Sequence, residues 1–172
     1  DRETEARLAA TGCTPLIDPQ ADGAILFDIG GGSSELVRLA RSQKGRGGPP
    51  LPQIRGWISV PHGVVTLAER HGGITVTRES YEAMVSEVAA LIAPFVREHG
   101  AEATTGIHML GTSGTVTTIA GVHLNLRRYD RNRVDGCWMS APQINAVIER
   151  LLAMSYEERV ASPCIGAERA DL

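Results

Sequence analysis

The most constraining feature of this sequence is a short apolar segment that ends in three consecutive glycines. Residues 24–29 read Ala-Ile-Leu-Phe-Asp-Ile and are followed by Gly30, Gly31 and Gly32. An apolar run of this length, closed by glycines, is typical of a strand that leads into a tight turn. Glycines at a strand end also present successive backbone N–H groups to an anion, because no side chain blocks close approach. We therefore predict a strand followed by an anion-binding turn.

The residues after these glycines predict two more strands. Residues 34–39 alternate enough to form a second strand, and residues 53–60 read as a third. The connection between them, residues 41–52, is rich in Gly, Pro and basic side chains, as exposed hairpin loops are. Consecutive strands that are joined in this way form an antiparallel meander.

The second half of the sequence predicts helices around one more strand. Apolar residues recur at helical spacing from Thr77 onward, and Pro94 within this pattern predicts a kink or an early end. A short strand is predicted over residues 107–110, and Ser140 and Ser155 begin two further helices, the latter with a capping box. A meander followed by helix, strand and helices is the order of a ribonuclease H-like lobe. We expect an α/β fold with a mixed sheet and flanking helices.

Composition excludes several classes of protein. Of the 172 residues, 42% are hydrophobic and 22% charged, which is ordinary for a globular domain and not for a disordered or membrane-spanning chain. A net charge of −3 argues against a nucleic-acid partner, and no secretory signal is recognisable, so we expect a cytoplasmic protein without a membrane partner. The cysteines and histidines have no metal-binding spacing, and we assign no histidine a catalytic role.

Two carboxylates flank the three glycines. Asp28 ends the predicted strand, and Glu35 lies where the turn brings the chain back toward the glycines. A carboxylate at a strand end can hold a divalent cation, which prefers oxygen ligands and neutralises phosphate charge. The alternative is an ordinary hairpin turn with two solvated acids. We favour phosphate binding because the glycines are bracketed by acids.

A second glycine-containing loop, Gly-Thr-Ser-Gly-Thr at residues 111–115, lies between a predicted strand and a helix. Backbone donors at a helix N-terminus, with hydroxyls beside them, bind phosphate oxygens. The alternative is a plain strand-to-helix turn with Thr115 as the N-cap. Neither loop has the ending of a Walker A motif or the dinucleotide-binding pattern. Two such loops in one small domain favour a phosphate site.

Four segments together resemble the exopolyphosphatase and guanosine pentaphosphate phosphohydrolase family. They are ETEARL at residues 3–8, DIGGGSSELV at 28–37, GTSGT at 111–115 and ERADL at 168–172, in the family's order and spread over nearly the whole chain. The resemblance implies an actin-like fold of two ribonuclease H-like lobes with the active site between them. It also implies hydrolysis of polyphosphate or guanosine pentaphosphate with Mg²⁺.

The resemblance further implies roles for individual residues. Glu5 corresponds to the base that activates the attacking water, and Glu35 is the second candidate catalytic carboxylate. Asp28 corresponds to the metal ligand. The implied phosphate-binding residues are Gly30, Gly31, Gly32 and Ser33 in the first loop, Gly111, Thr112, Ser113, Gly114 and Thr115 in the second, and Arg169.

The same resemblance sets expectations for domains and partners. Residues 1–20 are expected to end an N-terminal lobe, and residues 21–172 to form the second actin-like lobe, truncated at its C-terminus. The chain does not begin with Met, so we expect a piece of a longer protein that is a homodimer when intact and nearly inactive as this fragment. Two alternatives remain open, namely the lobe of an actin-like ATPase or sugar kinase, and a non-catalytic sensor of phosphate chains.

Overall fold

The computed structural model describes residues 2–41, 52–99 and 106–172, without the side chains of residues 2, 3, 5 and 6. The hairpin connection expected over residues 41–52 therefore lies almost entirely outside the described residues. The helices are α1 Arg2–Cys13, α2 Val64–His71, α3 Arg78–His99, α4 Ser113–His123, α5 Arg131–Val134, α6 Ala141–Ala153 and α7 Tyr156–Ala161. The strands are β1 Gly23–Ile29, β2 Ser34–Ala40, β3 Gln53–Val60 and β4 Ile107–Thr112.

The four strands form one mixed sheet in the order β3-β2-β1-β4. The first three strands are antiparallel neighbours, which confirms the meander, and β4 adds to the free edge of β1 in parallel. The parallel connection from the meander to β4 includes the 22-residue helix α3, as crossovers between parallel strands require. The expected α/β lobe with a mixed sheet and flanking helices is confirmed.

Two groups of buried side chains stabilise the lobe. The first joins Ala10 of α1 to Leu26 of β1 and to Val37 and Leu39 of β2, so α1 packs against the sheet. The second lies among the helices that follow β4. Its buried members are Ala120, Val122, Leu126, Val134, Val147 and Cys164. The end of the sheet that carries both glycine loops lies at the start of α4, which directly follows β4.

Two helical features differ from the sequence-based expectations. α3 runs through Pro94 to His99, so the predicted early end is wrong. Pro94 and Ala90, whose carbonyl group loses its helical donor, are both exposed, and water can satisfy that oxygen. Helices α1, α2 and α5 were not predicted. α1 is mostly polar, α2 has only eight residues and no fully buried side chain, and α5 has only four residues. No helix in the described ranges is long and apolar enough to cross a bilayer.

Candidate functional site

The two glycine-containing loops lie at the same edge of the sheet. β1 and β4 run in parallel, so their carboxyl ends are adjacent and Asp28 pairs with Thr112. The antiparallel return of β2 places Glu35 opposite Asp28 on the other side. The Ser59 hydroxyl donates a hydrogen bond of 2.8 Å to Glu35 Oε1. The Ser59 hydroxyl and the carboxylates of Asp28 and Glu35 therefore lie together at the carboxyl end of β1. Open α/β folds bind ligands at the carboxyl ends of their strands.

The first loop is closed on itself and held by the start of α2. The Gly30 N–H donates to the Ser33 carbonyl at 2.9 Å. The N–H groups of Val64 and Val65 donate to the carbonyls of Gly30 and Gly31 at 3.0 and 2.9 Å. The helix N-terminus therefore offsets the partial negative charge of these two carbonyls. This leaves the loop better suited to an anion than a turn with free carbonyl oxygens.

The close contact between this loop and α2 depends on Gly63, which the sequence analysis did not single out. A Cβ at Gly63 would lie 2.3 Å from the Gly30 carbonyl oxygen and 2.5 Å from Gly31 backbone atoms. Such contacts are far inside van der Waals range, so only glycine fits this position. The sequence does carry a signal, because Pro61-His-Gly63 immediately precedes an apolar stretch and could have indicated a turn and a helix start.

The second loop forms the first turn of α4. Thr112 is the N-cap, in an extended conformation, so the alternative in which Thr115 caps the helix is wrong. Ser113 has a φ of 80°, a left-handed conformation that costs a non-glycine residue about 1–3 kcal/mol and is concentrated at ligand sites. The first N–H groups of a helix have no partner within it, and the dipole favours an anion beside them. The predicted loop thus has the geometry of an anion site.

Arg169 lies directly against this second loop. Its Nη1 group donates to the Gly114 carbonyl at 3.1 Å and to the Thr118 hydroxyl at 2.9 Å. A Cβ at Gly114 would meet Arg169 Nη2 at 2.9 Å, so the glycine makes room for the guanidinium. Arg169 is otherwise exposed, which leaves other N–H groups of its planar fork available to an anion.

One cavity of about 390 Å³ joins both loops. A second arginine, Arg159, also lines it, and its Nη2 group donates to the carbonyls of Gly73 and Ile74 at 3.2 and 2.5 Å. Two guanidinium groups give this cavity a local positive charge in a chain whose net charge is −3. The predicted residues that line it are Gly30, Gly31, Ser113, Gly114, Thr115 and Arg169, and the apolar wall includes Val64, Val65, Ile119 and Leu151.

The remaining predicted residues with described side chains are not among those that line the cavity. Gly32 is exposed and Ser33 half-buried in the first loop, Gly111 and Thr112 end β4, and Asp28 and Glu35 are half-buried at the strand ends. A Cβ at Gly111 would lie 2.5 Å from the Phe27 ring, so this glycine is required for packing. Gly111 is therefore explained without a ligand.

The C-terminal end of α1 contacts the same strand ends. Burial raises the pKa of the Cys13 thiol, a hydrogen bond with Thr112 opposes this, and the Asp28 carboxylate raises the pKa further. These interactions place Cys13 beside Asp28. Glu5 belongs to the same helix, but its side chain lies outside the described residues, so its position as a base stays a prediction.

A divalent cation at Asp28 is compatible with the surrounding residues. In the described part of the chain, no group of three or more His, Cys, Asp or Glu side chains could hold a metal ion by itself. Mg²⁺ does not require such a group, because it usually binds one or two carboxylates and completes its shell with water and substrate phosphates. The donor set fits Mg²⁺ better than a metal that needs a closed protein site.

A comparison with protein-family models matches all of residues 1–172 to the Ppx/GppA phosphatase family. The chain belongs to this family. It is also similar to solved structures, among them an Aquifex aeolicus Ppx/GppA phosphatase of the type II variant, with a TM-score of 0.74 and 23% identity. That alignment covers 98% of this chain and 51% of the other, and at this identity it supports the fold alone.

Two further solved structures extend the comparison of this Ppx/GppA chain. An exopolyphosphatase-like protein has a TM-score of 0.73 and 30% identity, with 98% of this chain and 51% of the other covered. An exopolyphosphatase from Cytophaga hutchinsonii has a TM-score of 0.71 and 21% identity, with coverage of 97% and 51%. The chain spans about half the length of these proteins. No match was found among curated proteins.

Proposed function

We propose that this Ppx/GppA chain is one lobe of a phosphohydrolase that releases the terminal phosphate of inorganic polyphosphate or guanosine pentaphosphate. The observation that carries the proposal is the cavity that both glycine-containing loops share with Arg159 and Arg169. A chain of phosphates has closely spaced negative charges, and this cavity offers backbone N–H groups, hydroxyls and two guanidinium groups. Hydrolysis of a phosphoanhydride depends mainly on positioning and charge stabilisation of this kind.

The proposed division of labour follows from where each group lies. The first loop, residues 30–33, and the first turn of α4 bind the phosphate oxygens, and Arg169 adds charge beside the second loop. Glu5 takes the proton from the attacking water. A general base in this role must lie within hydrogen-bond reach of that water. Glu35, oriented by Ser59, assists as the second carboxylate next to the strand ends.

Asp28 is the proposed ligand of Mg²⁺, with substrate oxygens and water completing the coordination. A bound Mg²⁺ would neutralise charge on the phosphoryl oxygens as the bond to the leaving phosphate breaks. Asp28 pairs with Thr112 and Glu35, so the proposed ligand lies between the two phosphate loops. This position supports metal binding as the role of Asp28, whereas Glu5 and Glu35 are the proposed catalytic carboxylates.

The proposal is tested by phosphate release in the full-length protein that contains this chain. Tripolyphosphate, long-chain polyphosphate and guanosine pentaphosphate are supplied in turn with Mg²⁺. We expect Glu5→Gln to lower kcat by a factor of about 10²–10⁴, the usual contribution of a general base, with tripolyphosphate binding retained. Asp28→Asn should raise the Mg²⁺ concentration needed for half-maximal activity.

The matched control is Glu82→Gln, which makes the same chemical change at an exposed position of α3. This variant should hydrolyse each substrate at the wild-type rate. Binding of phosphate chains without turnover by the wild-type protein would contradict hydrolysis and support a sensor function. Tight ATP binding that tripolyphosphate does not compete with would support an ATPase or kinase lobe.

A further inference from the structure

A polar cluster joins α2 to α3, and none of its residues lines the cavity. Glu87 of α3 is contacted by His62 Nε2 at 2.6 Å, Arg70 Nη1 at 2.5 Å and His71 Nε2 at 2.8 Å. We call His62, Arg70, His71 and Glu87 the Glu87 cluster. His71 and then His62, through their hydrogen bonds, lower the pKa of Glu87, with a smaller contribution from Arg70. The carboxylate is therefore charged, and it joins α2 to α3.

His62 is the member of the Glu87 cluster whose ring contacts both the carboxylate and the guanidinium. Its Nε2 lies 2.7 Å from Arg70 Nη1, and both groups share the single oxygen Oε1 of Glu87. Its Nδ1 is buried without a hydrogen-bond partner. We assign the neutral ring the tautomer in which Nε2 donates to Glu87, so a second proton would give Nδ1 a hydrogen with no acceptor and place an imidazolium against a guanidinium. A buried donor without an acceptor costs about 1–3 kcal/mol, and a change in these contacts would relieve that cost.

His62 is also connected to the first glycine loop. Its carbonyl accepts a hydrogen bond of 2.7 Å from the Ser34 hydroxyl, at the start of β2. The next residue, Gly63, is the N-cap of α2, whose first N–H groups hold the loop carbonyls. No side chain of α2 is fully buried. Polar contacts such as the Glu87 cluster therefore add to the half-buried side chains in positioning this helix.

We propose that the Glu87 cluster positions the first glycine loop through α2, and that protonation of His62 displaces the loop and weakens phosphate binding. The charged and titratable groups that face His62 are Arg70 and His71 of α2 and Glu87 of α3. With His62 neutral, the positive Arg70 balances the negative Glu87. With His62 and His71 both protonated, three cations surround one carboxylate. The effect on phosphate binding rests on the proposed function, whereas the effect on loop position does not.

Loop position is measured without any ligand by following backbone amide NMR signals of this chain between pH 8 and 5.5. In the wild type we expect the Gly31 and Val64 amides to shift with the same midpoint as the His62 ring protons. His62→Gln should abolish this transition, and His123→Gln, a control at the end of α4 outside the cluster, should keep it. The proposal is overturned if the Gly31 and Val64 amide signals of the wild type do not shift with pH. It is also overturned if His62→Gln shows the same transition as the wild type.

A second variant keeps the test decisive if His62→Gln does not fold. Glu87→Gln removes the negative charge that favours a nearby imidazolium, so the loop transition should move to lower pH. An unmoved midpoint in Glu87→Gln contradicts a role for this carboxylate. Circular dichroism and the thermal midpoint confirm that each variant is folded before it is compared.

The functional consequence is measured by calorimetric titration of tripolyphosphate into the full-length protein that contains this chain, at pH 7.5 and 5.5. The ligand's own protonation affects every variant equally, so the ratio of wild type to His62→Gln isolates the protein. Acidification should weaken binding to the wild type at least about fivefold more than to His62→Gln, the lower end of typical coupling between sites. Equal weakening overturns the coupling to binding. A loop transition in this chain, combined with no tripolyphosphate binding by the full-length protein at either pH, contradicts the proposed function and leaves loop positioning supported.

Discussion

Replacement of Gly63 by alanine tests the contact between α2 and the first glycine loop. The backbone of Gly63, with φ −125° and ψ −176°, is open to any residue, so the substitution has no conformational cost of its own. The added Cβ would instead lie 2.3 Å from the Gly30 carbonyl oxygen. α2 would have to retreat by roughly 0.7 Å before that contact reached 3.0 Å, since the opposing atoms are backbone and cannot rotate away.

Such a displacement lengthens the hydrogen bonds from the helix to the loop. Overpacking of this kind costs about 1–3 kcal/mol, and each weakened hydrogen bond adds up to about 0.5–1.5 kcal/mol. We expect Gly63→Ala to lower the free energy of unfolding by about 2–3 kcal/mol, which corresponds to about 4–12 °C in Tm for a chain of this size. Urea and thermal unfolding of this chain, followed by circular dichroism, measure both quantities.

The matched control is Gly32→Ala in the glycine motif itself. A Cβ at Gly32 would meet nothing within 4 Å, and its φ is not left-handed, so stability should change by less than about 0.5 kcal/mol. The glycine motif alone suggests instead that replacement of Gly32 would lower stability more than replacement of Gly63. Equal stability losses in the two variants would refute the argument from close approach.

Three further predictions concern charge and reactivity. Arg169→Lys removes the planar fork but keeps the charge, so tripolyphosphate binding should weaken about tenfold or more in calorimetric titration, with little change in Tm. The pKa of Glu87 is lowered in the folded protein, chiefly by its hydrogen bond with His71 and then by the one with His62. This stabilisation is present above the carboxyl's unfolded pKa and is lost as pH falls through the folded pKa, so urea unfolding of Glu87→Gln should depend less on pH below about 4.5. Burial and then the Asp28 carboxylate raise the pKa of Cys13, so Asp28→Asn should accelerate alkylation of Cys13 at pH 8, as measured by mass spectrometry. An unchanged alkylation rate would contradict the proximity of α1 to Asp28.

The strands and several helix ends were accessible from local patterns. The apolar run before Gly30 predicts β1 to within one residue at its start, because burial and turn chemistry both act over a few positions. The capping box of Ser155 and Glu158 begins α7 as expected, with the two reciprocal hydrogen bonds at 2.8 and 3.2 Å. α2 was missed because its eight residues are fewer than the window over which helical periodicity is recognised.

The sequence by itself determined the chemistry available to this protein. Residue type alone sets which hydrogen-bond donors and acceptors are present in the glycine loops, in the carboxylates at strand ends and in Arg169. The tertiary structure decided which of these groups share a cavity, and it brought in Gly63 and Arg159, which the sequence analysis did not single out. It also gathered His62, His71 and Glu87, which had no role at the level of sequence. The physical reason is that spacing along a chain specifies local conformation, whereas proximity between distant residues depends on how helices and strands pack.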